Sequence, residues 1–129
     1  MNPSELRYSK EHEWLRRESD GLAVIGITEF AAESLGDVVF VELPPAGTDF
    51  KRAEKMGEVE SVKAVSDLYT PVTGRVVERN DELVERPELV NESPYGEGWM
   101  LRVEMEDPAE FDGLLTSEQY GAFLDTQAQ

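Results

Sequence analysis

The sequence predicts a mostly β domain with short helices and a helical C-terminal segment. Three observations carry that expectation. Short runs of β-branched and aliphatic residues, punctuated by Gly, Pro and Asp, recur through residues 14–104. Beyond Pro108 the apolar period changes: Phe111, Leu114 and Leu115, then Tyr120, Phe123 and Leu124, fall three and four apart. The chain has 129 residues, enough for one domain and not comfortably for two, and no linker or low-complexity tract divides it, so residues 1–129 are expected to form one unit.

In chain order, residues 14–17 are extended, and Asp20-Gly21 is the turn of a hairpin into a strand at 22–28. Thr28 caps a short helix at 29–35 with Glu29 in its first turn, and Gly36 stands where a helix C-terminal glycine belongs. Residues 37–43 form a strand whose run Val38-Val39-Phe40-Val41 predicts burial on both faces. Pro44-Pro45-Ala46-Gly47 ends it. Residues 56–61 and 65–70 are extended with a bend between them, 71–74 is a second bend, and 75–80 is a further strand. Helical turns are expected at 81–86 and 87–91, a tight loop at 94–98 and the last strand at 99–104. Asp107-Pro108 reads as N-cap and first residue of a helix, Thr116 or Ser117 starts another, and 127–129 should fray, which places the C-terminal helices at about 107–125.

Composition narrows the function. Lys and Arg total 12 against 28 Asp and Glu, a formal charge of −16. Such a surface repels phosphate backbones and anionic lipid, so neither nucleic acid nor a membrane surface is expected, and protein partners need basic patches. Hydrophobic residues make up 40%, enough to build a core and to argue against disorder. Cysteine is absent, which removes disulfides, thiolate metal sites, thiol nucleophiles and dithiol centres made of protein atoms. His12 is the single histidine, too few for a multi-histidine metal site, and no metal is expected. No apolar run reaches spanning length and residues 1–10 have no signal-like apolar stretch, so the expected location is cytoplasmic. Asn91-Glu92-Ser93 fits a glycosylation sequon and is read as chance.

Familiar catalytic signals are missing. Gly96-x-Gly98 lacks the third glycine of a dinucleotide turn and precedes a strand, and no P-loop, EF-hand loop or nucleophile elbow occurs. The abundant carboxylates single out no acid–base pair and read as a solvated face. His12, in Glu11-His12-Glu13-Trp14, reads as a packing or surface residue. Ser61 and Lys63 would share a face of an extended chain, but a Ser–Lys nucleophile needs a neutral lysine, and acidic surroundings favour the charged one. What remains is residues 57–67, which place one lysine, Lys63, where two strands meet among small or short-branched neighbours.

This stretch resembles the H-protein family of the glycine cleavage system. The core of the likeness is Val59-Glu60-Ser61-Val62-Lys63-Ala64, then Ser66-Asp67, Pro71 and Gly74, with the lysine followed eleven residues later by glycine as in lipoyl-attachment hairpins. Further family-like stretches run in order over about 8–124. They are Tyr8 through His12-Glu13-Trp14, Gly26-Ile27-Thr28, Leu35-Gly36-Asp37-Val38-Val39, Val41-Glu42-Leu43-Pro44, Pro87-Glu88-Leu89-Val90-Asn91, and Ser93-Pro94-Tyr95-Gly96 with Gly98-Trp99. A lipoyl domain of a 2-oxoacid dehydrogenase would show Asp-Lys-Ala, and a biotin carrier would show methionine on both sides of the lysine; Val62 and Ala64 stand here instead.

The resemblance implies a barrel-sandwich hybrid (hammerhead) fold, a lipoyl hairpin at about 56–74, and lipoate in amide linkage on Lys63. Glu60, Ser61, Val62, Ala64 and Gly74 make up the attachment motif, Glu60 helping the lipoate-attaching enzyme and Gly74 serving a bend. It implies a carrier rather than an enzyme. Such a carrier takes an aminomethyl group from glycine decarboxylase (P protein) to the aminomethyltransferase (T protein) and is reoxidised by dihydrolipoyl dehydrogenase (L protein); a monomer is expected. Glu13 and Asp67 are the implied carboxylates of a groove that shelters the loaded arm, with Glu11, where the family has a serine-like residue, as a third candidate. The alternative is an H-like protein acting in lipoate relay or regulation.

Overall fold

Two antiparallel sheets enclose the core of the computed structural model, which describes residues 6–19 and 21–127. Asp20 of the expected turn, and residues 128 and 129 of the expected frayed end, lie outside the described residues. The strands are β1 (Leu6–Tyr8), β2 (Glu13–Ser19), β3 (Leu22–Ile27), β4 (Val38–Glu42), β5 (Asp49–Phe50), β6 (Lys55–Ser61), β7 (Val65–Tyr69), β8 (Gly74–Arg79) and β9 (Leu101–Met105). The helices are α1 (Glu29–Leu35), α2 (Glu82–Glu85), α3 (Leu89–Glu92), α4 (Ala109–Asp112) and α5 (Ser117–Gln127). A six-stranded sheet has the order β1-β2-β3-β9-β8-β5, and a three-stranded sheet the order β4-β6-β7. The sequence expectation of a strand-rich chain with a helical end holds.

Local chemistry explains most boundaries. Thr28 Oγ1 accepts from the Ala31 amide and opens α1, and Gly36 closes it at φ 79°, ψ −156°. Asp107 Oδ1 accepts from Ala109 N ahead of α4. Thr116 and Gln119 exchange side-chain and backbone bonds (2.9 and 3.2 Å), a capping box that starts α5. Leu114 and Leu115 are not helical as their spacing suggested: α4 stops after one turn, and Leu115 pairs by backbone with Tyr8. Strands β1 and β5, three and two residues long, carry no readable period and exist through their pairing with β2 and β8.

The run at 38–41 departs from expectation. Val38 and Val41 are buried, but Val39 and Phe40 are 48% and 47% exposed. β4 skips register against β6 between Val38 and Phe40, a bulge that turns both side chains outward on an edge strand. A run of apolar letters cannot reveal a bulge, because the bulge belongs to the pairing.

The main core lies between the sheets, centred on Leu15, Ile25, Val59, Val72, Met100, Leu101 and Val103, all fully buried. A second cluster, Leu6, Tyr8, Trp14, Val24 and Tyr120, sits under α5. Trp14 faces Gly26 across the β2–β3 ladder, where a Cβ would fall 2.7 Å from the indole; glycine there is what admits the ring.

Tyr120 ties α5 down. Its ring stacks on Tyr8 at 4.5 Å, and its hydroxyl meets Thr28 Oγ1 at 2.7 Å and His12 Nδ1 at 2.9 Å. Burial holds the phenol up at about 12. Tyr120→Phe should cost about 1–2 kcal/mol, because buried Thr28 and half-buried His12 both lose a bond to the hydroxyl. Denaturant unfolding checks this, and an unchanged midpoint would mean the hydroxyl contributes nothing.

Candidate functional site

The β6–β7 hairpin presents the candidate lysine. Ser61 and Ala64 close it: Ser61 N donates to Ala64 O (2.8 Å), and Ser61 Oγ accepts from the amides of Lys63 (3.3 Å) and Ala64 (3.1 Å). The buried serine therefore fixes the loop, and Val62 and Lys63 are left as an exposed two-residue tip. The tip is a bend, so Ser61 and Lys63 do not share the face of an extended strand. Among the described residues no carboxylate pairs with the Lys63 ammonium, whereas Lys55 is held by Glu58 (2.6 Å) and Asp67 (3.3 Å).

The lysine stem lies over the end of α1. A Cβ built on Gly36 would be 3.4 Å from Lys63 Cε. Gly36 also occupies a backbone region that only glycine adopts readily. Gly36→Ala should therefore cost about 1–3 kcal/mol of stability and push the stem aside; thermal unfolding, with tip geometry followed by NMR, checks both effects.

Two cavities that share Glu11 as a lining residue form the candidate groove. One, about 190 Å³, is lined by the apolar Ile27, Phe30, Ala31 and Leu35 together with His12, Glu11 and Asp67. The second, about 340 Å³, shares Glu11 and is lined by Glu13, Ser9, Arg52, Tyr69 and Leu114. The three candidate carboxylates thus line two cavities that share Glu11, in different settings. Asp67 and Glu11 are exposed, whereas Glu13 is 2% exposed.

A tight loop buries Glu13. His12 adopts a left-handed φ of 68°, and the chain folds back so that Ser9 and Glu13 bond through backbone and side chain. Ser9 Oγ donates to Glu13 Oε1 (2.7 Å), and Tyr69 N donates to Oε2 (3.3 Å). Burial outweighs these bonds and raises the carboxyl to about 7. A buried carboxyl that lines a cavity, with its pKa raised by desolvation, is a functional-site candidate.

His12 packs as expected of a structural residue, its ring 4.6 Å from Phe30 and 5.8 Å from Phe123. Burial lowers its pKa, with Glu11 opposing. Glu60 is exposed on the outer face of the hairpin, in register with Phe40 on one side and Val65 on the other. Gly74 lies away from the tip, in the larger sheet opposite Phe50 and Met105, where a Cβ would collide with Glu104 O. Its glycine is required by strand packing rather than by the bend. Ser9 and Tyr69, which hold Glu13, were not singled out by sequence; the four-residue spacing of Ser9 and Glu13 is the only trace of the first.

Comparison with known proteins agrees with this geometry. The family model described as Glycine cleavage H-protein matches residues 6–127. The glycine cleavage system H protein of Magnetococcus marinus is 59% identical over 124 residues, which cover 96% of this chain and 88% of that protein. The H protein of Carboxydothermus hydrogenoformans is 51% identical, with 98% and 97% covered. A crystal structure of the H protein from Mycobacterium marinum superposes with a TM-score of 0.86 at 39% identity, covering 94% of this chain and 97% of that one.

Proposed function

This chain belongs to the glycine cleavage H-protein family, and on that premise we propose that Lys63 bears the lipoyl group and that the groove shelters the cargo. The fold is the hybrid barrel-sandwich of that family. The chain is a carrier and not a catalyst: it shuttles the aminomethyl group within the glycine cleavage system, which makes the P, T and L proteins its partners. The same reading adds a lipoate-attaching enzyme as a further partner, a cytoplasmic monomer, and residues 1–129 as one carrier domain. Among the described residues no helix is long and apolar enough to cross a membrane.

The observation that supports Lys63 is its exposed place on a two-residue tip, where among the described residues no carboxylate pairs with its amine and its stem rests on Gly36. The site fits the group. The tip is open to acylation, and Ile27, Phe30, Ala31 and Leu35 offer an apolar wall to a hydrocarbon arm. When attached, the lipoyl group supplies the redox-active sulfurs that a cysteine-free chain lacks.

The chain's own residues do the rest. Acylation removes the Lys63 charge, so the tether can lie on the apolar wall without burying a cation. Glu13 and Asp67 offer carboxylates to the cargo's ammonium, with Glu11 between the two cavities. The apolar wall keeps water from the cargo, which is prone to hydrolysis. Glu60, beside the tip, offers a negative charge to the attaching enzyme.

Reconstitution with the three partner enzymes tests the reading. Lipoylated protein should support glycine-dependent CO2 release, and unmodified protein should not. A lipoylated chain that stays inert would favour lipoate relay or regulation.

A further inference from the structure

Two of the family-like stretches, around Gly36 and around Asn91, meet at one side chain. The Asn91 carboxamide, on α3, makes three bonds. Its Oδ1 accepts from Val38 N (2.9 Å), and its Nδ2 donates to Gly36 O (2.7 Å) and Ala32 O (3.4 Å). It therefore clasps the end of α1 and the start of β4 together.

That clasped segment is what the lysine tip leans on. Asp37 O accepts from Val62 N (3.0 Å), Val38 is in register with Ser61, and the Lys63 stem lies over Gly36. These three contacts of the tip with the rest of the fold all run through residues 36–38. Besides Asn91, Gly36 N donates to Ala32 O (3.2 Å) and Val38 is buried in the main core, while β4 bulges directly after Val38.

We infer that Asn91 is a positioning residue for the carrier lysine, acting through Gly36, Asp37 and Val38 to hold the Lys63 tip where an acylating enzyme can engage it. The inference rests on the reading of Lys63 as the attachment site. It also gives the Asn-Glu-Ser sequence a role: its carboxamide is engaged within the fold.

Asn80 supplies a matched control. It too makes two donor bonds, to Glu97 O (2.9 Å) and Trp99 O (2.7 Å), and accepts one, from Glu82 N (3.2 Å), but none of these reaches the tip. Asn80→Ala and Asn91→Ala should both lower thermal stability. At a temperature where both variants are folded, only Asn91→Ala should slow transfer of lipoate to the unmodified protein by a lipoate-attaching enzyme, by about tenfold in kcat/KM, because misplacing a reacting group costs rate.

Amide hydrogen exchange at Val62 gives a readout independent of any enzyme. It should quicken in Asn91→Ala and not in Asn80→Ala. Should Asn91→Ala not fold, Asn91→Asp keeps the acceptor for Val38 N, loses both donor bonds, and should show the same two effects. Equal lipoylation rates in the Asn80 and Asn91 variants, or unchanged Val62 exchange in the latter, would overturn the inference. If wild-type Lys63 takes up no lipoate at all, it is the carrier reading beneath the inference that fails.

Discussion

Replacing Lys63 by arginine should leave a folded protein that accepts no lipoyl group and supports no glycine decarboxylation. A guanidinium keeps the charge and length but stays protonated and is not acylated. The tip is exposed and its closure depends on Ser61, so stability should change by less than about 0.5 kcal/mol. The loss is thus complete in function and negligible in fold, a combination that a merely structural lysine cannot produce. Intact mass and the reconstituted decarboxylation assay measure the first, thermal unfolding the second. Wild-type CO2 release from Lys63→Arg would remove Lys63 from the mechanism.

The second large effect belongs to Glu13. Its carboxyl is raised to about 7 because burial penalises the anion more than Ser9 and Tyr69 stabilise it. The folded state therefore holds a proton that the unfolded chain has already released. Stability contributed by that proton is complete below about 4.5, the ordinary value, and is lost as pH rises through about 7. Wild-type protein should lose stability across this window, by an amount on the order of 3 kcal/mol, and level off above it. Glu13→Gln, which stays neutral, should flatten that part of the profile. A parallel pair of stability–pH curves would show that Glu13 does not titrate there.

The same buried anion explains what the cargo gains. An ammonium placed against Glu13 would draw the carboxyl back to its charged form and replace the lost hydration with a charge-assisted bond. Glu13→Ala and Glu13→Gln remove that bond. Loaded variants should release ammonia and formaldehyde about ten- to a hundredfold faster than loaded wild type, since a hydrogen bond to a charged group contributes about 1.5–3 kcal/mol. Equal release rates would confine Glu13 to a role in stability.

The features legible in the sequence are those set by local chemistry. Thr28 and Gly36 bracket α1 because a hydroxyl cap and a glycine with positive φ act within a few residues. The lysine tip was legible because only residues 62–64 separate two extended runs, 56–61 and 65–70, so the bend that joins them has to present Lys63. The burial of Glu13 was not, since it depends on His12 turning left-handed and on Tyr69 arriving from another sheet. The outward turn of Val39 and Phe40 was hidden for the same kind of reason: it comes from a register skip between strands, which leaves no mark on either strand alone. Gly74 shows a third case. A glycine is needed there, but for the approach of the Glu104 backbone rather than for the bend the sequence suggested.

The most direct measurement is peptide mapping of the protein after incubation with a lipoate-attaching enzyme, ATP and lipoate. Of the four lysines, Lys10, Lys51, Lys55 and Lys63, the account predicts that a single lipoyl mass appears, and appears on Lys63. Lipoylation of another lysine, or none on a protein shown to be folded, would contradict it.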